Sequence, residues 1–147
     1  MQELVSRYLS LDVGDKTIGL AMSDLLGMTA QGLETMHRKS IKEDLKYLGE
    51  IISAYEVKGI IIGLPKNMNG TEGERCDLVR SFAAKISKAY PNLDLKFWDE
   101  RLTTVAAEKL LIEADVSRKK RKKVIDKMAA VNILQGFLDS IRVRREI

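Results

Sequence analysis

The run from residue 59 to residue 63 constrains the fold of this chain most. It reads Gly-Ile-Ile-Ile-Gly, without one polar side chain, and Leu64-Pro65 follows it directly. Continuous apolar runs of this length are typical of strands that are buried on both faces, whereas half-exposed strands alternate apolar and polar residues. The run therefore predicts an α/β fold in which helices flank both faces of a sheet.

Alternating residues before this run predict an antiparallel hairpin. Strands are expected at 7–13 and 17–23, joined by a turn at Gly14-Asp15-Lys16, and a third strand is expected over 29–36. Strands joined by helical crossovers are parallel, whereas hairpin strands are antiparallel. The two together predict a mixed sheet.

The rest of the chain alternates between helix and strand. The predicted elements are a helix over 40–54, a helix over 71–90, a strand over 94–98, and helices over 103–114 and 124–141. The first two helices are expected to begin at capping boxes, Ser40 with Glu43 and Thr71 with Glu74. No linker or repeat interrupts the pattern, so residues 1–147 are expected to form a single domain.

The composition excludes several classes of site. The single cysteine, Cys76, rules out an internal disulfide, and the single histidine, His37, leaves no zinc site made of Cys and His. The sequence has neither a signal peptide nor an apolar span of about 20 residues. We therefore expect a cytoplasmic protein without a membrane partner.

Three acidic residues stand where this fold would bring them together. Asp12 and Glu100 follow apolar, strand-like runs, and binding sites of open α/β sheets gather at the carboxyl ends of parallel strands. Asp126 opens the last predicted helix, and Ala129-Ala130 would let that helix approach the sheet closely. Asp99 and Glu100 should point to opposite faces, and of the two we favour Glu100 for the site.

Such a cluster of carboxylates predicts a site for Mg²⁺ or Mn²⁺. Both ions are hard cations that prefer oxygen ligands. Two carboxylates about 4 Å apart repel by roughly 4 kcal/mol at an effective dielectric constant near 20, so the cluster is unfavourable without a cation. Metal sites of this kind hydrolyse phosphodiesters.

Basic residues near the acids predict contacts with nucleic acid. An unbroken basic run consists of Arg118, Lys119, Lys120, Arg121, Lys122 and Lys123. Such runs bind phosphates without reading sequence, although a solvated loop is the alternative. Lys16 would contact phosphate or be a solvated turn residue. Arg101 would hold a phosphate or pair with a neighbouring acid.

Taken together, the motifs resemble those of the YqgF or RuvX family, which has a ribonuclease H-like fold. The resemblance covers residues 7–141. It rests on Leu11-Asp12-Val13-Gly14 with Gly19, Gly63-Leu64-Pro65 with Asn67 and Gly70-Thr71, Asp99-Glu100-Arg101-Leu102-Thr103, and Asp126 with Ala129-Ala130 and Ile133-Leu134-Gln135. One position departs from the family, since Asn69 stands where an Asp often precedes the Gly-Thr pair.

The resemblance implies that Asp12, Glu100 and Asp126 are metal-binding catalytic acids. It also implies a nuclease that processes the 5′ end of pre-16S rRNA, with the RNA free or within the ribosomal particle. Family members are also described as Holliday junction resolvases, which makes branched DNA the alternative substrate. A resolvase needs a stable two-fold dimer. The sequence shows no long unexplained apolar face, so we expect a monomer or weak homodimer.

Two other classes of function compete with a nuclease. The hairpin from Asp12 to Gly19 also resembles the phosphate-binding hairpin of actin-like ATPases and sugar kinases, but those proteins need two such domains. The other alternative is an RNA-binding module without catalysis. Such a module has no reason to hold three like charges together.

Overall fold

The computed structural model describes residues 7–102 and 128–141. The strands are β1 Arg7–Val13, β2 Thr17–Ser23, β3 Ala30–Gly32, β4 Met36–His37, β5 Val57–Leu64 and β6 Asp94–Asp99. The helices are α1 Ile41–Ala54, α2 Glu74–Ala89 and α3 at 128–141, and a short 3₁₀ turn spans Glu100–Leu102. The predicted helix over 103–114, the basic run and the beginning of the last predicted helix lie outside the described residues.

The strands form one mixed sheet, which confirms the predicted fold class. Their order is β3-β2-β1-β5-β6, and β4 also pairs with β2. The hairpin strands β1 and β2 are antiparallel, whereas β1 and β6 each run parallel to β5 between them. The carboxyl ends of three neighbouring parallel strands therefore meet at one edge of the sheet, here called the carboxyl edge.

Helices cover both faces of the sheet. One face, here the α1/α2 face, packs against helices α1 and α2; its buried core includes Leu9, Leu11, Val13, Ile60, Ile62, Leu64, Leu48, Phe82 and Ile86. The other, here the α3 face, packs against α3; its core is Ala21, Ile61, Ala130, Ile133, Leu134, Phe137 and Leu138. Residues alternate between the faces along each strand because successive side chains of a strand point in opposite directions.

The predicted third strand is wrong in its extent, because the structure divides it into β3 and β4. Gly32 pairs with Ala21, and Met36 pairs with Ile18. The segment from Gly32 to Met36 is therefore one residue longer than the segment of β2 that it faces. The extra residue cannot be accommodated in a regular ladder. Leu33 instead packs against the α1/α2 core within the break.

Of the two predicted capping boxes, only the first gives the helix start. The Ser40 side chain accepts a hydrogen bond from the Glu43 N–H at the start of α1, at 3.1 Å. Helix α2 begins instead after Gly73, which has no capping side chain. Thr71 is occupied within the preceding loop, where its hydroxyl donates to the Asn69 side-chain oxygen at 2.6 Å. Local hydrogen bonds of this type compete with helix capping.

No helix within the described residues is long and apolar enough to cross a membrane.

Candidate active site

The alternation of β1 places Asp12 on the α3 face. Leu11 and Val13 point into the α1/α2 core, so Ser10 and Asp12 point the other way. The buried Ser10 hydroxyl donates a hydrogen bond of 2.6 Å to the backbone carbonyl of Ala130 in α3. This contact fixes helix α3 against β1 at Ser10, the residue that precedes Asp12 on the same face of the strand. Ala130 is fully buried, so the predicted close approach of this helix is confirmed.

Glu100 reaches the same face across a glycine of β5. A Cβ atom built on Gly63 would lie 2.8 Å from Cδ and 3.0 Å from Cγ of Glu100, and it would also meet Ile133 of α3. Only a residue without a side chain leaves room for that carboxyl group. Gly63 is thus the floor of the site. The sequence analysis did not predict that Gly63 makes room for Glu100. The glycine at the end of the isoleucine run was the feature that could have indicated it.

The Asp12 and Glu100 side chains meet at the carboxyl edge. They share a hydrogen bond, and Glu100 is mostly buried. Burial first, and then the Asp12 charge, raise the pKa of Glu100 from its ordinary value to about 7, while the positive charge of Arg75 opposes the rise. The pair is therefore electrostatically unfavourable when both groups are ionised, which a shared proton or a bound cation relieves.

Asp99, the residue before Glu100, forms a salt bridge with Arg101. The Arg101 guanidinium contacts the Asp99 carboxylate at 2.9 Å through Nε and at 2.6 Å through Nη2, and the Arg101 N–H adds a bond of 3.0 Å. These hydrogen bonds lower the pKa of Asp99. Of the two alternatives for Arg101, pairing with a neighbouring acid is the one found. A phosphate contact stays a prediction.

Arg101 also joins the site to the loop between β5 and α2. Its Nη1 atom donates to the Met68 carbonyl at 3.4 Å. The backbone of Gly70 has a φ of +87°, and a Cβ there would lie 3.3 Å from the same Nη1 atom. Glycine is favoured because it adopts positive φ without strain and leaves room for the guanidinium.

The turn after Asp12 is fixed by an arginine that sequence reasoning missed. Arg38 donates through Nη1 to the Gly14 carbonyl at 3.0 Å, and its N–H donates to the Lys16 carbonyl at 2.8 Å. Its Nε atom in turn pairs with the buried carboxylate of Asp44 at 3.3 Å. The Lys16 side chain is exposed, and its predicted phosphate contact stays a prediction.

Trp98 is half-buried and packs against the α3-face core. A Cβ on Gly136 would lie 2.8 Å from its ring. Its indole N–H has no hydrogen-bond acceptor among the described residues.

The remaining site predictions fall on undescribed parts of the chain. Asp126 and the basic run from Arg118 to Lys123 lie outside residues 7–102 and 128–141. Within those residues, no group of three Asp, Glu, His or Cys side chains is placed to hold a metal ion. The Asp12 and Glu100 pair supplies only oxygen donors, and this donor set fits a hard divalent cation once a third acid joins it.

Comparison with known proteins identifies relatives over nearly the whole chain. A protein of Desulforamulus reducens named "Putative pre-16S rRNA nuclease" is 60% identical over 134 residues, which cover 91% of this chain and 97% of that protein. A protein of Clostridium novyi with the same name is 58% identical over 135 residues, covering 92% and 99% of the two chains.

Solved structures share the fold at low sequence identity. Thermus thermophilus RuvC in complex with a Holliday junction matches with a TM-score of 0.58 and 11% identity, over 92% of this chain and 96% of RuvC. The fowlpox virus resolvase bound to junction DNA matches with a TM-score of 0.54 and 10% identity, over 92% and 98%. These matches confirm the ribonuclease H-like fold expected from the resemblance.

The family model described as "RuvX: Holliday junction resolvase" matches residues 6–140. This match includes Asp12 at the end of β1 and Glu100 in the 3₁₀ turn after β6, and relatives of more than half identity cover most of the chain. The chain belongs to the RuvX family.

Proposed function

We propose that this protein is a hydrolase, a metal-dependent nuclease that cleaves RNA and processes the 5′ end of pre-16S rRNA in the cytoplasm. The names of its close relatives support the substrate. The observation that carries the proposal is the contact between Asp12 and Glu100 at the carboxyl edge. A pair of like charges held together by the fold is explained by a positively charged ligand.

Asp12, Glu100 and Asp126 would hold Mg²⁺ or Mn²⁺ in this proposal. The bound metal would activate water for attack on a phosphodiester and stabilise the leaving oxygen. Asp12 and Glu100 would orient the ion, while Gly63 and the bond from Ser10 to Ala130 keep their spacing. The salt bridge to Arg101 partly offsets the charge of Asp99, whose repulsion of Glu100 is weaker than that of Asp12.

Cations around the site would hold the sugar-phosphate backbone. Lys16 lies in the turn that directly follows Asp12, and Arg101 follows Glu100. The basic run over 118–123 lies just before Asp126 in the sequence. Phosphate contacts of this kind position a substrate without selecting its sequence.

Cleavage of a labelled RNA tests the proposal. The RNA spans the 5′ end of the small-subunit rRNA precursor and is incubated with Mg²⁺ or Mn²⁺. We expect cleavage that is lost in Asp12→Asn and kept in Asp15→Asn, a matched change of an exposed acid in the adjoining turn. Equal activity of the Asp12→Asn variant and the unchanged protein would contradict the proposed role of this carboxylate.

A Holliday junction resolvase is the second candidate, favoured by the description of the matching family. A four-way DNA junction in the same assay distinguishes the two functions, because a resolvase makes paired symmetric cuts and works as a two-fold dimer. Symmetric cuts in the junction without RNA cleavage would favour the resolvase. If neither is cut while RNA is still bound, the binding module without catalysis is favoured, and the precursor ribosomal particle is the next substrate to test.

A further inference from the structure

The loop between β5 and α2 presents an apolar side chain to solvent. Met68 is 76% exposed. The loop does not depend on that side chain for its shape, because the Asn67 N–H donates to the Thr71 carbonyl at 2.8 Å and the Gly70 N–H donates to the Asn67 carbonyl at 2.8 Å. The methionine is therefore held outward by a loop whose conformation is fixed by its own backbone.

This exposed methionine stands beside the acidic pair. The loop follows the carboxyl end of β5, the strand that lies between those carrying Asp12 and Asp99. The Met68 carbonyl accepts the hydrogen bond from Arg101, the residue after Glu100. A strand of nucleic acid that reaches the acids from this side must pass the loop.

Two cations lie on either side of the methionine in the chain. Arg75 is exposed in the first turn of α2, the helix that follows the loop, and forms no hydrogen bond or close ion pair with the described residues. A positive charge in the first turn opposes the helix dipole, so helix stability does not explain it. Lys66 lies in the same loop, two residues before Met68.

We propose that Lys66, Met68 and Arg75 form a binding surface for an unpaired stretch of the RNA strand next to the cleavage site. Met68 contacts the face of a nucleobase, and the two cations contact phosphates. An unpaired nucleotide offers both groups at once, whereas the bases of a duplex are stacked and hidden. The surface thus selects single-stranded RNA, and this inference rests on the proposed nuclease function.

The opposite edge of the sheet supplies a matched control. Leu26, in the loop between β2 and β3, is 72% exposed and so presents nearly as much apolar surface as Met68. That loop connects the ends of strands that point away from the acidic pair. Lys88, in the last turn of α2, is the corresponding control for Arg75 because it is an exposed cation on the same helix.

Fluorescence anisotropy with Ca²⁺ in place of Mg²⁺ tests the surface by binding alone. The probes are a labelled single-stranded RNA of about 12 nucleotides and a blunt duplex of the same sequence. We expect Met68→Ala to weaken binding of the single strand about fivefold and to leave duplex binding unchanged. Arg75→Gln should lower the slope of log affinity against log salt by about one for the single strand. Leu26→Ala and Lys88→Gln should change neither quantity.

The proposed binding surface would be contradicted if Met68→Ala and Leu26→Ala bind single-stranded RNA with equal affinity while their melting temperatures show that both variants fold. An equal loss for single strand and duplex would also overturn it, because base contact would then play no part. Failure of the nuclease proposal looks different. In that case Met68→Ala weakens single-strand binding while no RNA is cleaved by the unchanged protein with Mn²⁺.

Discussion

The two faces of the central sheet are built from the same strands but from different kinds of residue. On the α1/α2 face, β1 and β5 remain apolar up to their carboxyl ends, at Val13 and Leu64. On the α3 face, the apolar cluster gives way towards the same edge to Asp12, Gly63 and Glu100. Alternate residues of one strand thus have different roles: those on the α1/α2 face form the core, and those near the carboxyl edge of the α3 face form the site.

This difference shows how the fold tolerates an unfavourable site. Burial of apolar area contributes about 25 cal/mol per Å², and the α1/α2 face supplies it along the full length of the strands. At the carboxyl edge of the α3 face, burial instead raises the pKa of Glu100 and so opposes its ionisation. Substitutions on the two faces of one strand should therefore have different consequences.

The largest effect is expected for Gly63→Ala. The new methyl group would meet both Glu100 and Ile133, so the carboxyl group and helix α3 cannot both keep their positions. We expect cleavage to fall about 100-fold, since small displacements of reacting groups have effects of this size. Overpacking should also lower the free energy of unfolding by about 2 kcal/mol.

The neighbouring residue on the other face provides the control. Ile62→Val removes one methyl group from the α1/α2 core and should lower the free energy of unfolding by about 1 kcal/mol while leaving cleavage intact. Cleavage rates and urea melts of the two variants test the comparison. Full activity in Gly63→Ala would show that the site does not need this close approach.

The next effect is on stability and depends on pH. The pKa of Glu100 is about 7 in the folded protein and near 4.5 when unfolded, so folding favours the protonated form. In EDTA, the free energy of unfolding should fall as pH rises from about 4.5 through 7 and then level off, by a total on the order of 3 kcal/mol. Glu100→Gln should remove this slope, making the variant more stable than the unchanged protein at pH 8.

Thermal melts from pH 5 to pH 8 measure this effect, and added metal extends it. Millimolar Mg²⁺ or Mn²⁺ should raise the melting temperature of the unchanged protein at pH 8 but not that of Glu100→Gln, because the ligand is lost. Asp99→Asn is the contrasting variant. The pKa of Asp99 is lowered by Arg101, so its loss should destabilise the protein at neutral pH. If stability depends on pH in the same way in the unchanged protein and in Glu100→Gln, the electrostatic repulsion between Asp12 and Glu100 is ruled out.

A smaller effect is expected where α3 meets β1. Ser10→Ala removes the buried hydrogen bond to the Ala130 carbonyl and should lower the free energy of unfolding by about 1 kcal/mol. Because the bond fixes the helix beside Asp12, metal affinity should fall as well. Isothermal titration with Mn²⁺ measures that loss, and Ser23→Ala, a change of another buried serine on β2, serves as the control. Unchanged Mn²⁺ affinity in Ser10→Ala would show that the bond from Ser10 to Ala130 does not position the metal-binding acids.

The sequence predicted those features that depend on local patterns. Alternation and apolar runs predicted the hairpin, β5 and β6, and the rule for parallel strands placed Asp12 and Glu100 at one edge. It could not predict that Gly63 lies under Glu100, because that depends on the register of β5 against β6. The contacts of Arg38 with the turn after Asp12 are equally non-local. The Thr71 capping box was wrong because loop hydrogen bonds outcompeted it.

The smallest effect is expected for Arg101→Lys, which keeps the charge but loses the planar guanidinium. Lysine cannot contact both Asp99 oxygens and the Met68 carbonyl together, so the link between the 3₁₀ turn and the loop should weaken. The salt bridge is about one-third exposed on both sides, so solvent screens it and we expect only a small loss of stability. Arg7→Lys is the matched control, because Arg7 begins β1 at the opposite end of the sheet and lies over the Tyr55 ring rather than against an acid. Hydrogen exchange of loop amides such as that of Gly70 should rise in Arg101→Lys and not in Arg7→Lys, since Arg101 joins that loop to the 3₁₀ turn after β6.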